Sequence, residues 1–193
     1  MTKKKTGLYF GTFNPIHIGH CVIAQHMLEF TDLDEIWFVV TPHNPHKKKS
    51  TLLDDYQRLY MVQLAVDDQY QMHVSNMEFD LPQPSYTATT LAHAVEKYPE
   101  KEFALIMGAD NLQTFHKWRN YEWILEHHKI YVYPRIESDG GDLKNHPNVT
   151  VTDAPIMQIA STDIRNAIKE GKNVSFMLPE KVWKFIDEGL FYR

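Results

Sequence analysis

Short apolar runs and longer amphipathic segments alternate along the chain. Apolar runs of about four to eight residues are typical of buried strands, whereas apolar residues three or four positions apart are typical of helices. The apolar runs predict strands at Gly7–Phe10, Glu35–Pro42, within Tyr70–Phe79, Phe103–Met107, Ile130–Tyr133 and Val149–Thr152.

The segments between these strands have helical periodicity. In the first segment Val22, Ile23, Met27 and Phe30 recur at helical spacing, and Pro15 falls in the first turn, where a helix tolerates proline. In the second segment the apolar and aromatic residues are expected mostly on the inner side: Tyr56, Leu59, Tyr60, Val62, Leu64 and Val66. The pattern predicts helices at Ile16–Phe30 and Leu53–Asp67, and a third from a cap at Ser85 or Thr87 to about Lys97. After a turn at Gly108–Asn111, the aromatic segment up to His127 is predicted to be helical. Two further helices are predicted, one from a cap at Ser161 or Thr162 to about Glu170 and one from Pro179 onward.

This alternation of elements predicts an α/β fold. Strands that follow one another through helices pair in parallel with right-handed crossovers, and the helices cover both faces of the sheet. We therefore expect a single Rossmann-like domain over residues 1–193 with a doubly wound parallel sheet. Ligands of such folds bind beyond the carboxyl ends of the strands, where residues 11–20, 41–49, 108–110 and 161–165 are expected to meet.

Composition and charge restrict the classes of function. The net charge of −5 argues against a protein whose main task is to coat nucleic acid, because that binding depends on many Lys and Arg residues. Lys3, Lys4 and Lys5 precede an apolar run that is too short for a signal peptide or a membrane span. Cys21 is the single cysteine, so no intramolecular disulfide forms and a reducing cytoplasm is the expected location.

His17 and His20 lie three residues apart at the expected start of the first helix, so their side chains share one face. Three interpretations stay open from these residues alone. The pair is a partly buried polar pair at a helix end, a zinc site without an obvious third ligand, or a phosphate site aided by the helix N-terminus. Gly19 favours the phosphate site, because glycine inside a helix costs about 1 kcal/mol and indicates that something approaches closely.

The chain contains neither the dinucleotide fingerprint nor a P-loop motif, so its glycine turn belongs to another class of nucleotide site. The stretch Gly11–His20, which reads GTFNPIHIGH, resembles the signature of the nucleotidyltransferase superfamily that shares its HxGH motif with class I aminoacyl-tRNA synthetases. The stretch Ile159–Arg165, which reads IASTDIR, resembles the second signature of that superfamily, ISSTxIR. The chain departs from these patterns at Phe10, Asn14 and Ala160, where glycine, aspartate and serine are usual.

Over nearly its whole length the chain is similar to the bacterial nicotinate mononucleotide adenylyltransferases. The further stretches that fit this family are Pro45-His46-Lys47, Ser85-Tyr86-Thr87 with Thr90-Leu91, and Gly108-Ala109-Asp110 followed by Trp118. The resemblance implies an enzyme that joins ATP and nicotinate mononucleotide to give nicotinate adenine dinucleotide and pyrophosphate, in NAD biosynthesis.

The resemblance also implies a role for each matching residue. The catalytic residues, which would hold the ATP phosphates, are His17, His20 and Arg165. Further contacts to ATP would come from Gly11, Thr12, Phe13, Gly19, Ser161 and Thr162. The mononucleotide would meet Asn14, Lys47, Thr87, Asp110, Trp118 and Arg119. Mg²⁺ would be bound mainly through the ATP phosphates, and no metal site made by the protein itself is expected.

Several of these roles have structural alternatives. Trp118 suits a platform on which the pyridine ring stacks or a core aromatic residue. Asp110 suits a ribose contact or a helix cap. Lys47 belongs to the basic run His46–Lys49, which is typical of a solvated loop but directly follows the second predicted strand.

Two other functions stay open beside adenylyl transfer to nicotinate mononucleotide. Pantetheine-phosphate adenylyltransferase resembles this chain at the glycine turn, but it usually has threonine in place of His17 and lacks the Gly108, Asp110 and Trp118 pattern. A non-catalytic nucleotide-binding module would bind without turnover, and the intact residues His17, His20 and Arg165 argue against it. The expected partners are ATP and nicotinate mononucleotide, with no nucleic acid and no membrane, and a homo-oligomer stays open.

Overall fold

The computed structural model describes residues 2–42 and 52–193. Strands lie at β1 (Lys4–Gly11), β2 (Glu35–Val40), β3 (Met72–Ser75), β4 (Lys101–Gly108), β5 (Ile130–Tyr133) and β6 (Val149–Val151). Helices lie at α1 (Ile18–Phe30), α2 (Asp55–Val66), α3 (Thr87–Lys97), α4 (Ala109–Gln113), α5 (Tyr121–His127), α6 (Ser161–Lys169) and α7 (Glu180–Glu188).

In the described part of the chain the strands form one parallel sheet in the order β3-β2-β1-β4-β5-β6. Alternate residues of β1 point to opposite faces, so that Tyr9 packs with α1, α2, α6 and α7 while Leu8 packs with α3, α4 and α5. The predicted doubly wound α/β fold is confirmed. The strand order reverses between β1 and β4, and a ligand crevice is expected above this pair.

The first helix begins two residues later than its pattern predicts. α1 starts at Ile18, and His17 is its N-cap residue with an extended backbone at φ −140° and ψ 170°. Pro15 lies in the preceding turn, so its predicted place in the first helical turn is wrong. Phe13 in that turn has φ 42°, which is unfavourable for a bulky residue. Its buried ring packs against the ring of Tyr9, and this packing holds the turn ahead of the helix.

α2 buries most of the face that its pattern predicts, because Val62 and Val66 are buried and Leu59 and Leu64 pack against the core. Tyr56 and Tyr60 are 66% and 46% exposed, so their predicted inner placement is wrong. Arg58 is fully buried instead, and its Nη1 donates to the carbonyl of Thr12 at 2.6 Å and to the carbonyl of Thr41 at 3.0 Å. A buried cation is tolerated where its donors find acceptors. The backbone carbonyls just beyond β1 and β2 therefore hold Arg58 on the inward face of α2.

Two helices begin without the side-chain caps that the sequence predicts. The structure contradicts the predicted caps at Ser85, Thr87, Ser161 and Thr162. The N-cap residues are Tyr86 in α3 and Ala160 in α6, and neither makes a side-chain cap hydrogen bond. The hydroxyl of Ser85 donates to Gln83 at 3.0 Å, and that of Ser161 donates to a carbonyl in the loop before α1 at 2.9 Å. These contacts occupy the hydroxyl groups elsewhere.

The segment between β4 and β5 is more broken than its pattern predicts. α4 begins at Ala109, directly after β4, where the sequence predicts a turn. The aromatic residues then form a short 3₁₀ helix at Phe115–Lys117 and the separate helix α5. Asn120 between them has φ 55°, a left-handed conformation that asparagine tolerates better than most residues. This residue interrupts the helix predicted to reach His127.

A buried carboxylate organises the opposite, amino-terminal edge of the sheet. Glu35 is 2% exposed, and it accepts from Lys101 Nζ at 2.6 Å and from Thr6 Oγ1 at 2.7 Å, and pairs with Lys4 Nζ at 2.7 Å. Burial opposes ionisation, but these hydrogen bonds prevail and lower the pKa of Glu35 to about 2. This cluster of charges is structural and lies away from the carboxyl edge.

Candidate active site

The first and last of the predicted functional stretches meet at the carboxyl edge of the sheet. The hydroxyl of Ser161 donates to the carbonyl of Pro15 at 2.9 Å, and Arg165 Nη1 donates to the carbonyl of Asn14 at 2.8 Å. These contacts join residues about 150 positions apart and bring the start of α6 against the turn that precedes α1. Two helix N-termini, each with unpaired backbone N–H groups, therefore lie side by side.

Arg165 lies half-buried across the first turn of its own helix. Its Nη2 donates to the hydroxyl of Thr162 at 3.3 Å, in addition to the Nη1 bond to the carbonyl of Asn14. A guanidinium has five N–H donors. The group is thus fixed in place by two neutral acceptors and keeps further donors for an anion.

The rings of His17 and His20 stack at the N-terminus of α1, with their centroids 3.7 Å apart and an interplanar angle of 26°. The backbone N–H of His17 donates to Nδ1 of His20 at 3.2 Å. This bond makes Nδ1 of His20 an acceptor, so that the proton of the neutral ring is on Nε2. Within the described residues, the buried Nδ1 of His17 has no hydrogen-bond partner.

Gly19 permits this stacking. A Cβ atom at Gly19 would lie 3.1 Å from two ring atoms of His17 and 3.4 Å from Cβ of Met157. Contacts of about 3.1 Å are tighter than ordinary van der Waals packing. The close approach that glycine indicates in the sequence is therefore made, at least in part, by the His17 ring itself.

His17 is neutral at physiological pH. The residue is 5% exposed, and burial lowers the pKa of its imidazole to about 4, with a further contribution from the positive charge of Arg135. A neutral imidazole donates one hydrogen bond and carries no charge. The positive charge near this turn therefore comes from the arginines and the helix N-termini.

Asp110 and Arg135 face each other beyond the ends of β4 and β5. Nε of Arg135 lies 3.7 Å from Oδ1 of Asp110, and its guanidinium is 5.1 Å from the ring centroid of Tyr133. A Cβ atom on Gly108 would lie 2.3 Å from Oδ1 of Asp110 and 3.2 Å from Nε of Arg135. Glycine at position 108 thus makes room for this pair. Gly108 is also the N-cap of α4, so the cap interpretation of Asp110 is wrong.

Residues predicted to bind the mononucleotide lie together at the start of α3. The guanidinium of Arg119 is 5.1 Å from the ring centroid of Tyr86, within the range of a cation–π contact. Thr87 follows as the first residue of α3. Trp118, next to Arg119, is half-buried, and its ring meets that of Phe115 edge-on at 5.2 Å. Trp118 is therefore packed on the core and partly open to solvent.

Of three other predicted residues, two are buried in the turn before α1 and the third lies outside the described residues. Asn14 is 1% exposed, and its Oδ1 accepts from the hydroxyl of Tyr192 at 2.8 Å and from the backbone N–H of Leu53 at 3.2 Å. Phe13 is 2% exposed and packs edge-on against the ring of His20 at 5.1 Å. Lys47 lies outside the described residues.

Within residues 2–42 and 52–193, no three His, Cys, Asp or Glu side chains are grouped to hold a metal ion. The zinc interpretation of His17 and His20 thus finds no ligand set there. No helix in the same ranges has the length and apolar character that crossing a bilayer requires.

Comparisons with known proteins decide the family. The cytidylyltransferase-like family model matches residues 8–167. A relative from Flavobacterium johnsoniae, named "Probable nicotinate-nucleotide adenylyltransferase", is 65% identical over 191 residues, which cover 98% of this chain and 99% of that protein. A relative of the same name from Flavobacterium psychrophilum is 59% identical, with the same coverage. The chain belongs to the nicotinate-nucleotide adenylyltransferase family.

A solved structure supports the fold of this family. The nicotinic acid mononucleotide adenylyltransferase of Plasmodium falciparum, complexed with NaAD, superposes with a TM-score of 0.83 at 18% identity, covering 98% of this chain and 97% of that one. At this low identity the likeness concerns the fold. It agrees with the strand order and the helix layers described above.

In this member of the nicotinate-nucleotide adenylyltransferase family, the sequence does not predict two arginines that lie near the crevice, Arg135 and Arg58. Arg135 stands two residues after β5, and its position beyond the carboxyl end of a parallel strand is a signal that could have identified it. Arg58 follows the buried stripe of α2, because it lies four residues before Val62 and eight before Val66. A charged residue within an apolar stripe was the available signal.

Proposed function

We propose that the chain transfers the adenylyl group of ATP to nicotinate mononucleotide, giving nicotinate adenine dinucleotide and pyrophosphate in NAD biosynthesis. The observation that carries this proposal is the 65% identity, over nearly the full length of both chains, to a relative with this enzyme's name. The meeting of the α1 and α6 N-termini with Arg165 provides a site of matching chemistry.

The proposed reaction needs alignment more than activation. An ionised 5′-phosphate is already a nucleophile, and its oxygen attacks the α-phosphorus of ATP. A new P–O bond forms while the bond between the α-phosphorus and the bridging oxygen breaks, and pyrophosphate leaves with that electron pair. No general base is required, so catalysis reduces to positioning the two substrates and stabilising negative charge.

We assign the ATP phosphates to the space between α1 and α6. His20 presents a protonated Nε2 when its ring is neutral, because Nδ1 accepts from the backbone of His17. Arg165 supplies charge from α6, and Arg135 supplies charge from the end of β5. The backbone N–H groups in the first turns of α1 and α6 add neutral donors. We assign further contacts with ATP to the residues around these turns: Gly11, Thr12, Gly19, Ser161 and Thr162.

We assign the mononucleotide to the space between α3 and the segment that follows α4. The partly open ring of Trp118 would offer a face for the pyridine ring, and we assign its carboxylate to Arg119 and Thr87, which lie near one another at the start of α3. To Asp110, which is exposed beside Arg135, we assign a hydrogen bond from a ribose hydroxyl. Contacts of Lys47 and Asn14 with this substrate stay predictions from the family resemblance.

Mg²⁺ is proposed to arrive with ATP. Among the described residues no group of three or more acidic or other metal-binding side chains is arranged to hold it, so the triphosphate and water would provide most of its ligands. The ion would neutralise charge on the phosphates. We also propose the cytoplasm as the location, since Cys21 is a free thiol.

Pyrophosphate release by the purified protein, given ATP and nicotinate mononucleotide, tests the proposal. A non-catalytic nucleotide-binding module would bind ATP and release none. Turnover with phosphopantetheine in place of the mononucleotide would indicate the other adenylyltransferase instead.

His20→Ala tests the assigned catalytic role. Loss of a contact to the transition-state charge, worth ~3 kcal/mol, is expected to lower kcat roughly a hundredfold. His127→Ala is the matched control, because His127 is exposed at the end of α5, toward the opposite edge of the sheet. An unchanged kcat in folded His20→Ala would remove His20 from the catalytic residues.

A further inference from the structure

The last residues of the chain return to the turn before α1. After α7 ends at Glu188, the backbone N–H of Phe191 donates to the carbonyl of Ile186 at 3.1 Å, and the Phe191 ring lies 5.1 Å from that of Phe185. Leu190 and Tyr192 have φ values of 53° and 67°. Non-glycine residues hold such conformations only where the surroundings impose them. The tail therefore has a defined position.

The Tyr192 side chain ends at the turn before α1. Its hydroxyl donates to Oδ1 of Asn14 at 2.8 Å, across 178 positions of sequence. The backbone N–H of Leu53, which precedes α2, donates to the same oxygen at 3.2 Å. Asn14 is 1% exposed, and leaving a polar atom of such a buried residue without a partner is costly.

Asn14 is also the residue that Arg165 holds. Arg165 Nη1 donates to the backbone carbonyl of Asn14 at 2.8 Å. The same residue thus receives Tyr192 and Leu53 on its side chain and Arg165 on its main chain. Any rotation of the Asn14 peptide moves the carbonyl to which Arg165 donates.

The surroundings keep Tyr192 a hydrogen-bond donor. Burial raises the pKa of the Tyr192 hydroxyl above its usual value, while the positive charges of Arg165 and Arg58 oppose this only in part. The phenol therefore stays protonated throughout the range in which enzymes work.

We propose that Tyr192 is a positioning residue, whose hydroxyl fixes the Asn14 peptide and thereby sets the place of the Arg165 guanidinium at the ATP phosphates. This inference rests on the proposed function for the identity of the ligand. It assigns to the C-terminal tail a part in ATP binding that goes beyond packing against α7.

Tyr192→Phe is the direct test, because it removes the hydroxyl and keeps the ring. We expect ATP to bind about five- to tenfold more weakly by calorimetry, the cost of one buried hydrogen bond. KM for ATP should rise by the same factor, while KM for the mononucleotide changes less than twofold. Tyr60→Phe is the matched control and should change neither constant, since Tyr60 of α2 packs against Phe185 of α7, the residue that Phe191 also contacts, but is 46% exposed.

A double-mutant cycle separates positioning from general loosening. If Tyr192 acts through Arg165, Tyr192→Phe should weaken ATP binding less than twofold in an Arg165→Ala background. Equal losses in both backgrounds would overturn the proposal, because a merely structural defect adds to the loss of Arg165. No change on Tyr192→Phe alone, or a change confined to the mononucleotide, would overturn it as well.

The outcome is distinguishable from failure of the proposed function. Calorimetry with ATP needs no turnover, so the cycle reports on Tyr192 even if the wild-type protein releases no pyrophosphate. Absence of pyrophosphate release would reject the proposed reaction, and an intact cycle in the same protein would still support the coupling of Tyr192 to Arg165.

Discussion

At the scale of single residues, the imidazole of His17 shows how burial sets the chemistry of the crevice. Its sequence motif allows a charged or a neutral ring. The 5% exposure of His17 and the neighbouring positive charge of Arg135 lower the pKa of the ring and favour the neutral form. The ring is then a hydrogen-bond donor and a stacking partner for His20.

We predict that His17 titrates at about pH 4 in the folded protein, against a usual value of 6.5. Because the folded state resists protonation, stability should fall as pH decreases from 6.5 towards 4, by about 3 kcal/mol at the full difference. Imidazole NMR signals recorded against pH measure the midpoint, and unfolding of wild type and His17→Asn measures the linked stability. A midpoint at or above 6.5 would contradict the neutral assignment.

Trp118 carries a second prediction at this scale. Trp118→Ala should raise KM for the mononucleotide more than KM for ATP, because the pyridine ring loses its stacking face. Trp123→Ala is the matched control, since Trp123 packs on the same core cluster, from α5. Both variants should lose stability through lost packing. Equal changes in the two KM values for Trp118→Ala would remove the stacking assignment.

The sequence identifies residues whose chemistry is local to a motif. His17, His20 and Arg165 stand in recognisable stretches, and the structure brings those stretches into contact. The roles of Arg58 and Tyr192 depend on partners 17 to 178 positions away. The residues next to Arg58 and Tyr192 in the sequence do not indicate these partners, which only the tertiary structure reveals.

At the scale of elements, the pattern predicts each strand and the existence of most helices, but it places several helix ends wrongly. A serine beside a helix start is a good cap only if its hydroxyl is available, and Ser161 uses its hydroxyl on the carbonyl of Pro15. Likewise, α1 begins only at Ile18, because packing of the Phe13 ring in the core holds the preceding turn outside the helix. Competition from tertiary contacts, absent from local sequence, decides these boundaries.

The uncapped start of α6 gives a prediction at this scale. Ala160 has the extended backbone of an N-cap residue, at φ −118° and ψ 138°, but no side-chain acceptor. Ala160→Ser should supply one and stabilise the protein by about 0.5–1 kcal/mol. The unfolding midpoint should then rise by roughly 2–4 °C for each kcal/mol. Ala167→Ser within α6 is the control and should lower stability slightly, and an equal or lower midpoint for Ala160→Ser would contradict the assignment.

At the scale of the whole molecule, the fold places its chemistry where the strand order reverses. β1 and β4 are neighbours in the sheet. β1 ends at Gly11, which leads to the turn before α1, and β4 ends at Gly108, which lies beside the Asp110–Arg135 pair. α6 then closes on the first turn from the far end of the chain. The alternation of elements predicts a doubly wound sheet, but the strand order itself follows from long-range pairing and had to be observed.

A comparison of acceptors for the adenylyl group tests the proposed reaction of the protein. Initial rates of pyrophosphate release are measured with ATP and, in parallel, nicotinate mononucleotide, its amide counterpart or phosphopantetheine. We expect kcat/KM for nicotinate mononucleotide to exceed that for the amide by at least about tenfold, because the donors assigned to the carboxylate would be left without it on the amide. A rate for phosphopantetheine above that for the mononucleotide, or no pyrophosphate from any of the three, would contradict adenylyl transfer to nicotinate mononucleotide.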